Sequence, residues 1–144
     1  MEERHIKLVQ ESFEKVTPNG EQYLADVFYS ILFKLDPSLR PLFPSDMSKQ
    51  RMKLITVLTM AVRGLEDMDD ILPTIRRIGV QHLDYNVKEE YYTTLGKALI
   101  MSIRWILGDE FTPEIQEAWA HVYNMLASTM IEAGREAQRI SSQS

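Results

Sequence analysis

His82 follows Ile71, Ile75 and Ile78 at steps of four, three and four, so a helix through this stretch carries an imidazole on its apolar stripe. Buried without a partner, such a ring costs about 1–3 kcal/mol. A backbone carbonyl or a tyrosine would satisfy it as an ordinary core histidine. A metal would satisfy it too, but the chain has three His and no Cys. One imidazole cannot hold zinc unaided, whereas one axial imidazole suffices for iron in a porphyrin, which supplies four nitrogens of its own. Gln50 lies four residues before Leu54, on the stripe that continues through Leu58, Val62 and Leu65 of the preceding helical stretch. Tyr29 shares a flank with Ala25, Leu32 and Phe33, which directs a phenol toward the same interior. Each residue alone is a common core residue. Together they describe an iron ligand on one side of a cavity and hydrogen-bond donors on the other.

Other chemistries find little support. The chain has no G-x-G-x-x-G, Walker loop, G-x-S-x-G or H-E-x-x-H sequence. Glu117 and His121 form one i, i+4 pair, where a di-iron bundle needs two Glu-x-x-His motifs and further glutamates. They read as a surface pair beside a core Trp119, and His5 reads as solvated in the first turn. The lack of cysteine removes disulfides, thiolate metal sites and cysteine nucleophiles. Sixteen basic against twenty-one acidic residues give a net charge of -5, which disfavours nucleic acid as a partner. The longest mainly apolar stretch, Leu54 to Val62, is nine residues and too short for a membrane span. The acidic start, Met-Glu-Glu-Arg-His, has no signal-peptide character, so the expected location is cytoplasmic.

The elements that must position these side chains are all helical. At 144 residues and 44% apolar content the chain is expected to form one domain. No Asn-Gly or Asp-Gly hairpin signal separates alternating runs. Periodicity predicts helices over about 3–16 and 21–35, parted by Thr17-Pro18-Asn19-Gly20. A short helix follows, capped by Asp36 with Pro37 at its first position. Ser48 is expected to cap the next helix, which ends near 64–67. Asp69 or Asp70 should cap the one that carries His82 and stops before Asp84-Tyr85-Asn86. Two long helices close the chain, about 88–107 and from Thr112-Pro113-Glu114 past Ala133. Residues 1–134 make the domain, and 135–144 read as a polar, frayed tail.

Val-Phe-Tyr29-Ser-Ile-Leu-Phe, Leu-Asp-Pro37-Ser-Leu-Arg-Pro-Leu-Phe43, Gln50 and Ile-Gly-Val-Gln-His82 occur in an order and spacing that resemble the bacterial single-domain haemoglobins and the globin domain of flavohaemoglobins. Tyr91-Tyr92-Thr-Thr-Leu-Gly96, Leu107-Gly108 and Ala118-Trp119-Ala-His-Val-Tyr123 extend the likeness, which covers about 5–133. It implies an all-α globin fold of about seven to eight helices enclosing a haem b (iron protoporphyrin IX).

By that resemblance His82 is the metal ligand, and Tyr29 and Gln50 face bound dioxygen. Phe43, Leu54, Val87 and Tyr92 belong to the haem surround, Tyr92 within a hydrogen-bonding group behind the axial histidine. Lys53 reads equally as a partner for a haem propionate or as an ordinary exposed lysine. The family places a glutamate in that proximal group; the offset from Trp119 reaches Gly134, while Glu132 falls about 200° around the helix. Its absence would leave His82 closer to neutral and favour oxygen binding over turnover. The resemblance implies an oxygen-binding or scavenging protein that also takes carbon monoxide and nitric oxide. A separate reductase would support nitric oxide detoxification. The alternatives are a haem-based gas or redox sensor domain, and a haem-free regulator of the same fold.

Overall fold

The computed structural model describes residues 2–17, 21–84 and 87–143. Six α-helices run in the order α1 (Glu3–Val16), α2 (Glu21–Leu35), α3 (Ser48–Arg63), α4 (Met68–Asp84), α5 (Glu89–Leu107) and α6 (Pro113–Gln143). Short 3-10 helices, Pro37–Leu42 and Gly108–Glu110, join α2 to α3 and α5 to α6, and no strand occurs among the described residues. The expected turns at 18–20 and 85–86 lie outside the described residues.

α1 buries Val9, Phe13 and Val16 at steps of four and three, against α6. Ser12 shares that face, and its Oγ donates to the Leu8 carbonyl (2.7 Å) while accepting from Trp119 Nε1 (2.8 Å). The core indole is thereby satisfied at its polar end. α2 lies along α5, where Ala98, Leu99, Ser102, Ile103 and Leu107 face inward. Gly108, at a φ of 57°, ends α5 in the left-handed conformation that a side chain would strain, and its N–H caps the Arg104 carbonyl. Thr112 Oγ1 then accepts from the Ile115 N–H (3.2 Å), as its spacing before Pro113 predicts.

Two expected caps shift. The helix expected to start on a Ser48 cap begins at Ser48, and Asp46 supplies the carboxylate that accepts the Ser48 N–H (3.0 Å). α4 begins at Met68, so Asp69 and Asp70 lie in its first turn, where they complement the helix dipole. The larger difference is at the chain's end. α6 runs through Gln143, so the segment from Arg135, expected to fray, is helical. Arg135 grips Glu89 at the start of α5 with two bonds, Nε to Oε2 (2.8 Å) and an NH2 group to Oε1 (2.5 Å), which holds the first turn of that segment to the domain.

α4 and α6 pack tightly because Gly79 lets their backbones touch. A Cβ at Gly79 would lie 2.4 Å from the Met130 carbonyl oxygen and 2.6 Å from its Cα. Helix backbones cannot yield as a flexible side chain does. Gly79→Ala is therefore expected to lower the unfolding free energy by about 2–3 kcal/mol, read from the denaturant midpoint. An unchanged midpoint would mean that the two helices are free to part.

Candidate functional site

α2, α3, the Pro37–Leu42 turn and α4 together present the predicted residues. Tyr29 is 6% exposed on α2 and sits in an aromatic nest: Phe28 edge-on at 5.0 Å between ring centroids, Phe33 at 5.9 Å and Phe43 at 5.6 Å. Phe43 is delivered by the 3-10 turn, whose start is fixed by Asp36 accepting the Ser38 N–H (3.1 Å). Its end is fixed by Arg40, which stacks on Phe33 and donates to the carbonyls of Phe43 (3.2 Å), Pro44 (3.0 Å) and Ser45 (3.2 Å). Arg51 pairs with Asp26 of α2 (3.2 Å), which sets α3 against α2. Gln50 thereby comes within reach of the phenol, and its Nε2 donates to the Tyr29 hydroxyl oxygen at 3.1 Å.

That direction matters chemically. The phenol accepts from the amide, and its own proton remains to be donated to a third group. Burial raises the Tyr29 pKa, partly offset by the Gln50 bond and the Arg51 charge, so the proton is present at neutral pH. Leu54 and Leu58 follow Gln50 along α3, both partly buried.

α4 supplies the other wall. Ile71 and Ile75 are buried and Ile78 is partly buried, and the stripe ends in a partly buried His82 as the periodicity predicts. His82 Nδ1 and the Tyr92 hydroxyl of α5 share a 2.9 Å hydrogen bond. In the tautomer where Nδ1–H donates, Nε2 keeps its lone pair for a ligand bond. Tyr92 is set in turn by Tyr123 of α6, whose hydroxyl donates to the Tyr92 backbone carbonyl at 2.5 Å. Burial, with Glu89 one turn earlier adding to it, pushes the Tyr92 phenol up to about 12. The Val87 N–H donates to the His82 carbonyl (2.9 Å), which ties the backbone ahead of α5 to the last turn of α4. Lys53 is exposed on α3. Of the two positions weighed for a proximal glutamate, Glu132 is exposed and Gly134 is buried against Leu83 of α4.

α3 and α4 meet where Gly64 lies against Ile71 and otherwise touch only slightly. The structure thus joins Tyr29, Gln50, Phe33 and Phe43 in one cluster and His82 and Tyr92 in another. Phe33 is the residue that sequence reading undervalued. Its position four after Tyr29 was the available signal. Tyr123 could not be assigned, because its bond joins residues 31 apart in the chain.

His5 is corrected outright. It is 8% exposed, stacks on His121 at 4.7 Å between ring centroids, and lies 4.0 Å from Glu117. The first turn of α1 is covered by α6, which a reading of α1 alone could not show. Glu117 and His121 are exposed, as expected.

Burial lowers the pKa of His82 from the usual 6.5. Between the folded value and 6.5 the unfolded chain binds more protons than the folded one, so stability rises with pH there. The cofactor-free chain is expected to lose stability as pH falls below about 6.5, and His82→Leu should flatten that slope in urea titrations. An equal slope in both chains would place the titrating group elsewhere.

A sequence profile described as Globin matches residues 26–130. The chain is 28% identical over 134 residues to the flavohemoprotein of Bacillus subtilis, covering 91% of this chain and 33% of that one. It is 33% identical over 132 residues to that of Bordetella parapertussis, covering 90% and 32%. The chain thus spans about a third of the length of these curated relatives. Among solved structures, a bacterial globin from Campylobacter jejuni superposes with a TM-score of 0.83 at 23% identity, covering 96% and 99%. An engineered carbene transferase from Rhodothermus marinus gives 0.87 at 22%, covering 99% of each chain. No described helix is long and apolar enough to cross a membrane.

Proposed function

Since the chain belongs to the globin family, we propose that it holds a haem b between α3 and α4 and reversibly binds dioxygen. The donor set fits that group. One inward imidazole stands at the end of an apolar stripe, with its Nδ1 engaged by Tyr92. α3 carries Gln50 and Leu54 and α4 carries His82, and the two helices make few contacts with each other. The single observation that carries the reading is the pairing of this oriented histidine with the Gln50–Tyr29 bond on α2 and α3. A bound haem supplies the ferrous iron on which dioxygen, carbon monoxide or nitric oxide binds.

The chain's own residues do the rest. His82 would offer Nε2 to the iron, with its ring held at Nδ1 by the Tyr92 hydroxyl. Phe43, Leu54 and Val87 offer apolar surface to the porphyrin, and Leu54 keeps water from the gas site. Lys53 is exposed one turn past Gln50, and a propionate is the partner this reading assigns to its ammonium. Tyr29 would hydrogen-bond through its free O–H to the negative end of a polarised gas molecule. Gln50, donating to the phenol oxygen, orients that proton and makes the phenol a better donor. No carboxylate bonds to His82 or Tyr92 among the described residues, so the imidazole stays closer to neutral and the balance favours gas binding over rapid turnover. Nitric oxide detoxification by the same site requires electrons from a reductase.

The test is optical. Ferrous protein should change spectrum on admitting oxygen and return to the starting spectrum when the gas is flushed out. Immediate conversion to the ferric form would contradict reversible binding.

A further inference from the structure

The chain is acidic overall, yet its charge is unevenly placed. From Lys34 to Lys53 five basic residues face two acidic ones, a local charge of +3 that leaves -8 on the rest of the chain. Both acids in the stretch are engaged in capping: Asp36 accepts from Ser38, and Asp46 from Ser48. Arg51 is paired with Asp26, and Arg40 is spent on loop carbonyls. Lys34 and Lys49 are exposed and enter no ion pair among the described residues. Lys34 follows Phe33 of the aromatic nest, and Lys49 precedes Gln50. On the α3 wheel Lys53, Lys49 and Met52 fan outward from the pocket edge to the outer face, Met52 standing about 200° from Gln50. Met52 is 60% exposed, Leu35 41% and Leu42 36%. Cations interspersed with exposed apolar side chains are the makings of a transient docking surface rather than of a plain solvated face.

We propose that the basic stretch carrying Lys34 and Lys49, together with its exposed Met52, Leu35 and Leu42, docks a small acidic redox protein that delivers single electrons to the haem. The inference rests on the haem reading above. Charge complementarity selects the partner: a carboxylate-rich surface is steered toward this locally basic stretch of an otherwise acidic chain. Lys34 adjoins Phe33 and Lys49 adjoins Gln50 in the chain, and Phe33 and Gln50 both contact Tyr29, so a donor docked on these lysines would sit next to the residues of the gas site. In the step, one electron leaves the reduced donor, which is oxidised by one equivalent, and ferric iron becomes ferrous; no atom is transferred.

The experiment uses the haem-loaded ferric protein and reduced flavodoxin, an acidic flavoprotein, in anaerobic stopped flow. Reduction should slow steeply as salt is raised. Lys34→Glu with Lys49→Glu should slow it by roughly tenfold or more at low salt and flatten the salt dependence. Calorimetric titration of flavodoxin into the same variant should show the matching loss of affinity, a readout that persists even where haem is lost. Reduction by dithionite and the carbon monoxide spectrum should be unchanged, and Lys34→Arg with Lys49→Arg should behave as the parent. Lys97→Glu with Arg104→Glu, equal in charge but on α5, should leave the rates near the parent's. Equal slowing by that control, no effect of the Lys34/Lys49 reversal, or binding of anionic vesicles in place of flavodoxin would overturn the proposal. Absence of a haem spectrum in the parent would instead count against the haem reading.

Discussion

His82→Ala is expected to strip the protein of its native haem attachment. On the proposed reading the iron would lose the ligand that His82 supplies, and haem affinity should fall by more than the roughly 10–100-fold that losing a ligand's hydrogen-bond partner costs. Apolar contact with Phe43, Leu54 and Val87 would retain some porphyrin, because buried ring area stabilises at roughly 25 cal/mol per Å². Added imidazole should enter the space left by the side chain and restore a histidine-like spectrum, which separates a lost ligand from a misfolded chain. His82 is only partly buried, so its removal leaves the Ile71 and Ile75 core intact. Unchanged spectra and unchanged haem retention would refute the proximal assignment.

Tyr29→Phe should accelerate oxygen dissociation by roughly ten- to a hundred-fold, the equivalent of removing a polarised hydrogen bond of about 1.5–3 kcal/mol. Gln50→Leu should have a smaller effect, roughly two- to tenfold. The difference follows from geometry. The phenol is locked by Phe28, Phe33 and Phe43 and loses little entropy in donating. The amide acts through the phenol, since its bond ends on the Tyr29 oxygen. Carbon monoxide, which carries less charge on its outer atom, should show a smaller change in both variants. Stopped-flow release that is the same in parent and Tyr29→Phe would remove the phenol from the gas site.

The helices and the inward side chains were legible because periodicity reports which face of a helix is buried, and Ile71, Ile75, Ile78 and His82 share one such face. Asp36-Pro37 and Thr112-Pro113 were legible because a cap and a first-turn proline act within a few residues. Burial arising from distant elements could not be read this way. His5 sits in an acidic first turn, and only the arrival of α6, more than a hundred residues later, covers it. The continuation of α6 past Gly134 is accompanied by a long-range tie, Arg135 to Glu89, that joins residues 46 apart in the chain. At the site, residue types and order were readable, but hydrogen-bond direction was not. That Gln50 donates to Tyr29, leaving the phenol its own proton, is set by the spacing of α2 and α3, which Arg51 and Asp26 establish. The sequence offset puts Gly134 where the resembled family has a glutamate, and Gly134 packs against Leu83 of α4.

The whole account depends on iron porphyrin being held by this chain through His82. Titrating haem into the cofactor-free protein tests it most directly. One equivalent per chain should bind with a sharp Soret endpoint, shift on reduction under carbon monoxide, and show an iron–histidine stretch in the ferrous Raman spectrum. Drifting absorbance with no endpoint, or a stoichiometric complex whose spectrum His82→Ala leaves untouched, would contradict it.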